Sequence, residues 1–143
     1  MDGSLLHRDL TDTIIRVFYD VYNELGFGFL ESIYEEAIVV ALREAGLRVE
    51  QQVPIPVWFR GRSLGTFEAD LLVNGFVIIE LKAVKQLVEA HTAQLMHYLR
   101  ATEIEVGLVM NFGHKPEFKR RVFENSRKGL KVAKVSLIEN LLS

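Results

Sequence analysis

Asp70-Leu-Leu-Val-Asn-Gly-Phe-Val-Ile-Ile-Glu80-Leu-Lys82 reads as two strands joined by a tight turn. Asn74-Gly75 predicts a two-residue hairpin, because both turn positions require positive φ. The second strand, Phe76 to Lys82, is almost wholly apolar, as suits a central strand covered on both faces. Alternation puts Glu80 and Lys82 on one face and Ile79 and Leu81 on the other. Charges on a buried strand are expensive unless paired or metal-bound, so these two demand a reason. Counting back from a two-residue turn pairs Val73 with Phe76 and Asp70 with Ile79. Glu80 then meets Asp70 only on the diagonal, close enough to share a ligand if one strand bulges.

The chain on either side supplies the layers. Apolar Ile14, Val17/Phe18, Val21 and Leu25 predict a helix from Leu10, capped by Thr11 or Asp9 and stopped at Gly26, after a frayed lead-in over 1–8. A second helix is expected at about 30–45, on Ile33, Ala37, Val40/Ala41 and Leu42/Ala45, with Gly46 as its stop. Val49 to Phe59 reads as a strand that Pro54 and Pro56 demote toward an edge or a bulge. Arg60-Gly61-Arg62 is a turn, and 63–73 and 76–82 complete an antiparallel meander. Lys85 to Ala101 is a third helix, Val106 to Met110 a short apolar strand closed by Asn111-Phe-Gly-His, and Lys119 to Phe123 a further strand. From about Val132 the tail permits a last helical turn or two, capped by Ser136 and running through Leu141. A strand, a crossover helix and another strand make a right-handed parallel connection. The expected fold is therefore α/β, a three-layer sandwich around a central mixed sheet, the meander plus a parallel crossover strand.

Composition bounds the function. A chain of 143 residues with 49% hydrophobic and 25% charged side chains fits one domain, 1–143, with its core at about 9–123 and a short C-terminal extension. No apolar run approaches the length of a membrane span, and the first residues lack the pattern of a secretion leader. The absence of cysteine excludes disulfides, thiolate metal sites and cysteine nucleophiles. A cytoplasmic location is the expectation. The formal charge of −2 hides an asymmetry: residues 1–114 carry 16 acidic and 9 basic side chains, and 115–134 carry 2 and 8. That basic segment permits a phosphate-facing patch, and equally a solubilising surface.

Two carboxylates with a lysine one side-chain layer away suit a hard divalent cation, which takes carboxylate and carbonyl oxygens and keeps several waters. Two other elements can feed the site. Glu31, Tyr34 and Glu35 share a helix face at i, i+3 and i+4, which makes Glu31 a third carboxylate and leaves Glu35 and Glu36 as a solvated side. His91, Gln94 and Tyr98, at i, i+3 and i+7, form a polar face able to overhang the carboxylates. Glu-x-Lys alone is common, and a lone His or Tyr is more often structural; the combination carries the case.

Gly28-Phe-Leu-Glu31-Ser-Ile-Tyr34 resembles the motif of the GxxExxY family, a branch of the PD-(D/E)xK nuclease superfamily. The resemblance runs from about Asp9 to Arg121 and implies a restriction-endonuclease-like fold. It implies that Asp70 and Glu80 are metal-binding carboxylates, that Lys82 is the motif lysine, and that Glu31 is the helical glutamate completing the metal site. Gln94-Leu-Met-His-Tyr98 resembles the Gln-x-x-x-Tyr helix of exonuclease-like branches, which lies beside the metal centre. Gly107-Leu-Val-Met-Asn-Phe-Gly113 looks like the family's following strand and turn. Glu68-Ala69 stands where a proline often precedes the aspartate, and no cysteines flank the domain to carry an iron–sulfur cluster.

The function expected from the residues and the resemblance together is a Mg²⁺- or Mn²⁺-dependent phosphodiesterase acting on nucleic acid, DNA before RNA, with exonuclease-like action from an end and action on a single-stranded or branched form both open to it. Asp70, Glu80, Glu31 and the Leu81 carbonyl would hold metal, and Lys82 would handle the attacking water. Gln94, Tyr98, His91 and Tyr34 would contact substrate, and Arg120, Arg121, Arg127 and Lys128 would be outer phosphate contacts. The alternatives are a catalytically silent nucleic-acid- or partner-binding module on the same fold, and a small-molecule or RNA phosphoesterase with a closed pocket. The proline-bearing strand leaves an edge that a homodimer or a partner protein could cover. The acidic body would make binding to DNA strongly salt-dependent.

Overall fold

The structure, a computed structural model, describes residues 6–129. Helix α1 (Arg8–Leu25) and helix α2 (Glu31–Glu44) precede strands β1 (Val49–Phe59), β2 (Arg62–Val73) and β3 (Val77–Lys82). Helix α3 (Glu89–Ala101) then crosses to β4 (Val106–Phe112), and β5 (Pro116–Val122) and a 3-10 turn (Asn125–Arg127) follow. The expected tail helix lies outside the described residues. The five strands lie in chain order, antiparallel except for the β3–β4 pair, which α3 makes parallel. This is the expected α/β three-layer sandwich with a mixed, restriction-endonuclease-like sheet. No helix among the described residues is long and apolar enough to cross a membrane.

Each helix lies where its apolar stripe dictates. Ile14 and Phe18 of α1 and Tyr34, Ile38 and Leu42 of α2 pack on Leu71, Val73, Ile79, Leu81, Leu108 and Met110. On the opposite face, Leu95, Tyr98 and Leu99 of α3 pack on Leu72, Ile78 and Val109. β3 alternates between the two clusters and is buried along its length, with Lys82 at its end half-buried. β1 is the edge strand its prolines require.

Several boundaries differ from expectation. α1 starts at Arg8, after His7; Thr11, expected as a cap, is buried within the helix, its hydroxyl donating to the Arg8 carbonyl at 3.1 Å. On α2 the buried stripe is Tyr34, Ile38, Val39 and Leu42, while Ile33 and Val40 face solvent. α3 starts at Glu89 and not at Lys85, because side chains from the next strands hold the preceding backbone. Asn111 Oδ1 accepts the Val84 N–H and Asn111 Nδ2 donates to the Val84 carbonyl, both at 2.9 Å, and Glu117 Oε1 accepts the Leu87 N–H at 3.3 Å. β4 extends through Asn111 and Phe112 into the expected turn, and β5 begins at Pro116.

The hairpin register is the correction that matters most. Asn74 and Gly75 have φ of 52° and 71°, and the Phe76 N–H closes the turn on the Val73 carbonyl. Val73 nevertheless pairs with Val77, so exposed Phe76 belongs to the loop and every later pair moves by one residue. The β2–β3 ladder comprises Val73–Val77, Leu72–Ile78 and Leu71–Ile79. Carried one step past its last pair, that register would set Asp70 level with Glu80, instead of diagonal to it.

Candidate active site

Past Leu71, β2 separates from β3 and stays paired with β1. Both departing strands change faces there. Val49 packs toward α1 and α2 but Val53 toward α3, and Val73 and Leu71 likewise differ from Ala69, although alternate residues of a flat strand share one side. The change falls at Gln52, which has φ of 51° and stands across from Asp70 where the paired register skips a residue. The split leaves the Leu81 N–H without a strand partner. Asp70 Oδ2 accepts it at 2.7 Å, so this carboxylate is fixed by the sheet's own backbone.

Glu80 reaches the same place from β3. It is 3% exposed, and its Oε1 is buried with no hydrogen-bond partner. Burial, then the hydrogen bond and charge of Asp70, push its carboxyl up to about 10, with partial relief from Lys82. Removing an ion from water costs several kcal/mol, more than a neighbouring anion can leave uncompensated. The pair must therefore hold a proton or a cation. A hard divalent ion fits this donor set, since it would satisfy the unpartnered oxygen and both charges.

Two of the three α3 residues expected at i, i+3 and i+7, Gln94 and Tyr98, line up beside Lys82. Lys82 Nζ donates to Gln94 Oε1 at 3.3 Å, and Gln94 Nε2 donates to the Tyr98 hydroxyl at 3.0 Å. The Tyr98 hydroxyl is itself shifted up, first by burial and then by the charge of Glu80. Asp70, Glu80, Lys82, Gln94 and Tyr98 are thus brought together.

Glu31 approaches without joining the pair. It is the exposed first residue of α2, and its carboxyl is shifted up by burial, then by Asp70, with Lys82 opposing. Among the described residues no group of three or more His, Asp or Glu side chains is placed to hold a metal ion. Three converging carboxylates were expected; the arrangement is a pair with a third charge at its rim.

The remaining expected residues have partners outside the carboxylate pair. Tyr34 is fully buried and stacks on Phe112 with ring centres 4.1 Å apart. Its hydroxyl donates to the Gly26 carbonyl and accepts the Phe29 N–H, pinning the loop before α2. His91 Nδ1 accepts the Val88 N–H at 3.0 Å, capping α3. Lys128 Nζ donates to the carbonyls of Thr102 and Ile104, at the entrance to β4 and so at the opposite end of the parallel strands from Lys82. Arg120 donates to the Leu6 carbonyl, Arg121 to the carbonyl of Arg120, and Arg127 lies over the Phe123 ring. These four cations are tied to the protein's own carbonyls and rings, away from the carboxylates. A hollow of about 500 Å³ between Arg48, Phe76 and Ile104 also lies at that far end.

Sequence reasoning missed one clamp. Glu35, expected on the solvated side, accepts from Gln52 Nε2 at 2.9 Å and from Gln51 Nε2 at 3.0 Å. This ties the first turn of α2 to the kink beside Asp70. Gln51 and Gln52 carry no periodic pattern that would single them out. Asn111 could have been found: a buried amide ending an apolar strand poses the question that Glu80 poses.

With fold and site in view, known proteins fall into place around them. The model of the PD-(D/E)XK nuclease superfamily matches residues 8–121, and the chain belongs to that superfamily. Its members are generally metal-dependent and typically bind nucleic acid. The crystal structure of SSO0001 is similar in fold, with 16% identity and a TM-score of 0.54 over 78% of this chain. The match covers 56% of the SSO0001 chain. No curated protein matches significantly.

Proposed function

We propose that the chain is a Mg²⁺- or Mn²⁺-dependent phosphodiesterase that hydrolyses the backbone of nucleic acid, DNA before RNA, from the GxxExxY branch of its superfamily. The observation that carries this reading is buried Glu80 beside half-buried Asp70, with an unpartnered oxygen on Glu80 and Lys82 on the same face. The branch assignment rests on Gly28, Glu31 and Tyr34, where Gly28 has φ of 111° and Tyr34 locks the loop that presents Glu31.

Asp70, Glu80 and the Leu81 carbonyl would hold the ion, with Glu31 adding charge from the rim. The ion, when bound, acidifies or positions water and offsets charge on a phosphoryl oxygen. Gln94 holds the Lys82 ammonium at the edge of the pair, where it neutralises charge developing on phosphorus and orients the attacking water. Tyr98 in turn holds Gln94, so the lysine's position is set two residues deep. Glu80 keeps a proton in the ion-free protein and releases it when a cation takes that place. The domain acts in the cytoplasm on this reading.

The exposed position of Glu31 favours a second reading, a catalytically silent nucleic-acid- or partner-binding module. One assay separates the two. The protein is incubated with single-stranded, duplex and flapped DNA and with RNA, in Mg²⁺, Mn²⁺ or chelator, beside Asp70→Ala and Lys82→Ala. Metal-dependent hydrolysis that falls by at least about 10²-fold in each variant is expected. Equal cleavage by wild type and both variants marks a contaminant and removes the nuclease reading.

A further inference from the structure

The hairpin formed by β1 and β2 continues well beyond the last β2–β3 pair. From Arg62 to Glu68, β2 is exposed at every position. This arm carries Trp58, Phe59, Leu64 and Phe67, each about half exposed or more. Large apolar groups so placed on an arm mark a surface that is used.

Charge narrows the occupant. Residues 53–67 contain Arg60 and Arg62 and no acidic residue, within a body where acidic side chains outnumber basic ones 16 to 9. Arg60 lies over the Phe59 ring, 5.0 Å from its centre. Aromatic faces interleaved with guanidinium groups match unpaired nucleobases on a phosphate backbone, since every base offers a π-face and every linkage a negative charge. Duplex bases are already stacked and offer faces only at their ends. A second copy of the chain fits less well, because a two-fold contact would bring together two copies of a patch that carries cations and no acidic residue.

Position ties the arm to the chemistry. Phe67 pairs with Ile55, which packs on the α3 side, so cross-strand neighbours put Phe67 on that face. Its ring centre lies 6.0 Å from that of Tyr98. Tyr98 bonds Gln94, and Gln94 bonds Lys82. A row of side chains therefore runs from the arm to the carboxylates.

We propose that this arm is a stacking platform for the unpaired bases of a single-stranded nucleic acid, delivering the strand across Phe67 and Tyr98 to the site. The proposal deepens the nuclease reading and rests on it. Trp58 is the only tryptophan and so reports directly. The full chain is titrated in chelator with an oligothymidylate and with a blunt duplex, following Trp58 emission and the anisotropy of a labelled strand. Saturable quenching by the oligothymidylate is expected, with affinity roughly tenfold lower in Phe67→Ala and in Arg60→Ala/Arg62→Ala. Duplex binding should be unchanged, and Phe67→Tyr should restore the single-strand affinity. Binding by anisotropy without change at Trp58, or equal affinity in all arm variants, overturns the proposal. So does emission that tracks protein concentration alone together with a dimer in light scattering, which assigns the arm to a second copy. Hydrolysis is read separately with Mg²⁺: quenching without hydrolysis removes the nuclease reading and leaves the platform, and hydrolysis unaffected by arm variants does the reverse.

Discussion

Glu80 and Asp70 face one another at a spot where the surrounding strand residues are apolar, and there burial and the neighbouring Asp70 make the charge of Glu80 hard to keep. Holding a proton on Glu80 is the ion-free solution, which sets a stability trend. The folded carboxyl stays protonated up to about 10, whereas an unfolded glutamate titrates near 4.5. Its contribution to stability is therefore full below about 4.5 and declines as pH rises through that interval. Glu80→Gln keeps the shape and removes the titration. In chelator at pH 8 it should raise Tm by a few degrees, on the order of 1–2 kcal/mol, and flatten the Tm-versus-pH curve; Mg²⁺ should raise Tm in wild type and not in the variant. A Tm that falls in the variant would mean the pair is stabilising as it stands. The importance of Glu80 and Lys82 was legible because a charge on an oily strand always needs an explanation. Gln51, Gln52 and Glu35 were not, since glutamines on an edge strand and glutamates on a helix are ordinary until folding brings them together.

The segment from Ala83 to Val88, between β3 and α3, has no regular structure, yet it is held firmly. Asn111 bonds both polar groups of the Val84 backbone, and Glu117 binds Asn111 Nδ2 as well as the Leu87 N–H. Gly113 sits beneath it: a Cβ there would lie 2.5 Å from the Val84 carbonyl oxygen and 2.8 Å from Asn111 Nδ2. Gly113→Ala must displace the segment that begins one residue after Lys82. Overpacking of this kind costs about 1–3 kcal/mol, and a small shift of a positioned group costs about 10²-fold in rate. Denaturant unfolding and hydrolysis should both register the change, and a variant normal in both would show the segment to be slack. These tertiary bonds explain why α3 does not start at Lys85, where periodicity places it: a local pattern cannot foresee a side chain 27 residues away that claims the backbone first. The hairpin failed similarly. Asn74-Gly75 correctly marked the turn, but whether Phe76 joins the ladder depends on its neighbours in three dimensions.

Across the whole molecule, element order and layering were legible because strong apolar periods and a crossover leave few topologies. The destination of the basic C-terminal segment was not: composition shows that cations are present, and only the fold shows that Lys128 is bonded to carbonyls at the far end of β4. The sheet itself is unevenly joined. Three residue pairs link β2 to β3, against ten between β1 and β2 and seven between β4 and β5. Amide hydrogen exchange should accordingly resolve two units, with the distal hairpin amides opening at lower free energy than those of β3 and β4. A single exchange rate across all five strands would refute that division. The Leu81 amide lies on the boundary and belongs to the slow unit only while the Asp70 carboxylate grips it. In Asp70→Ala it should exchange with the fast unit while Ile79 stays protected. One backbone proton would then record, in a spectrum and without substrate, whether the site is assembled.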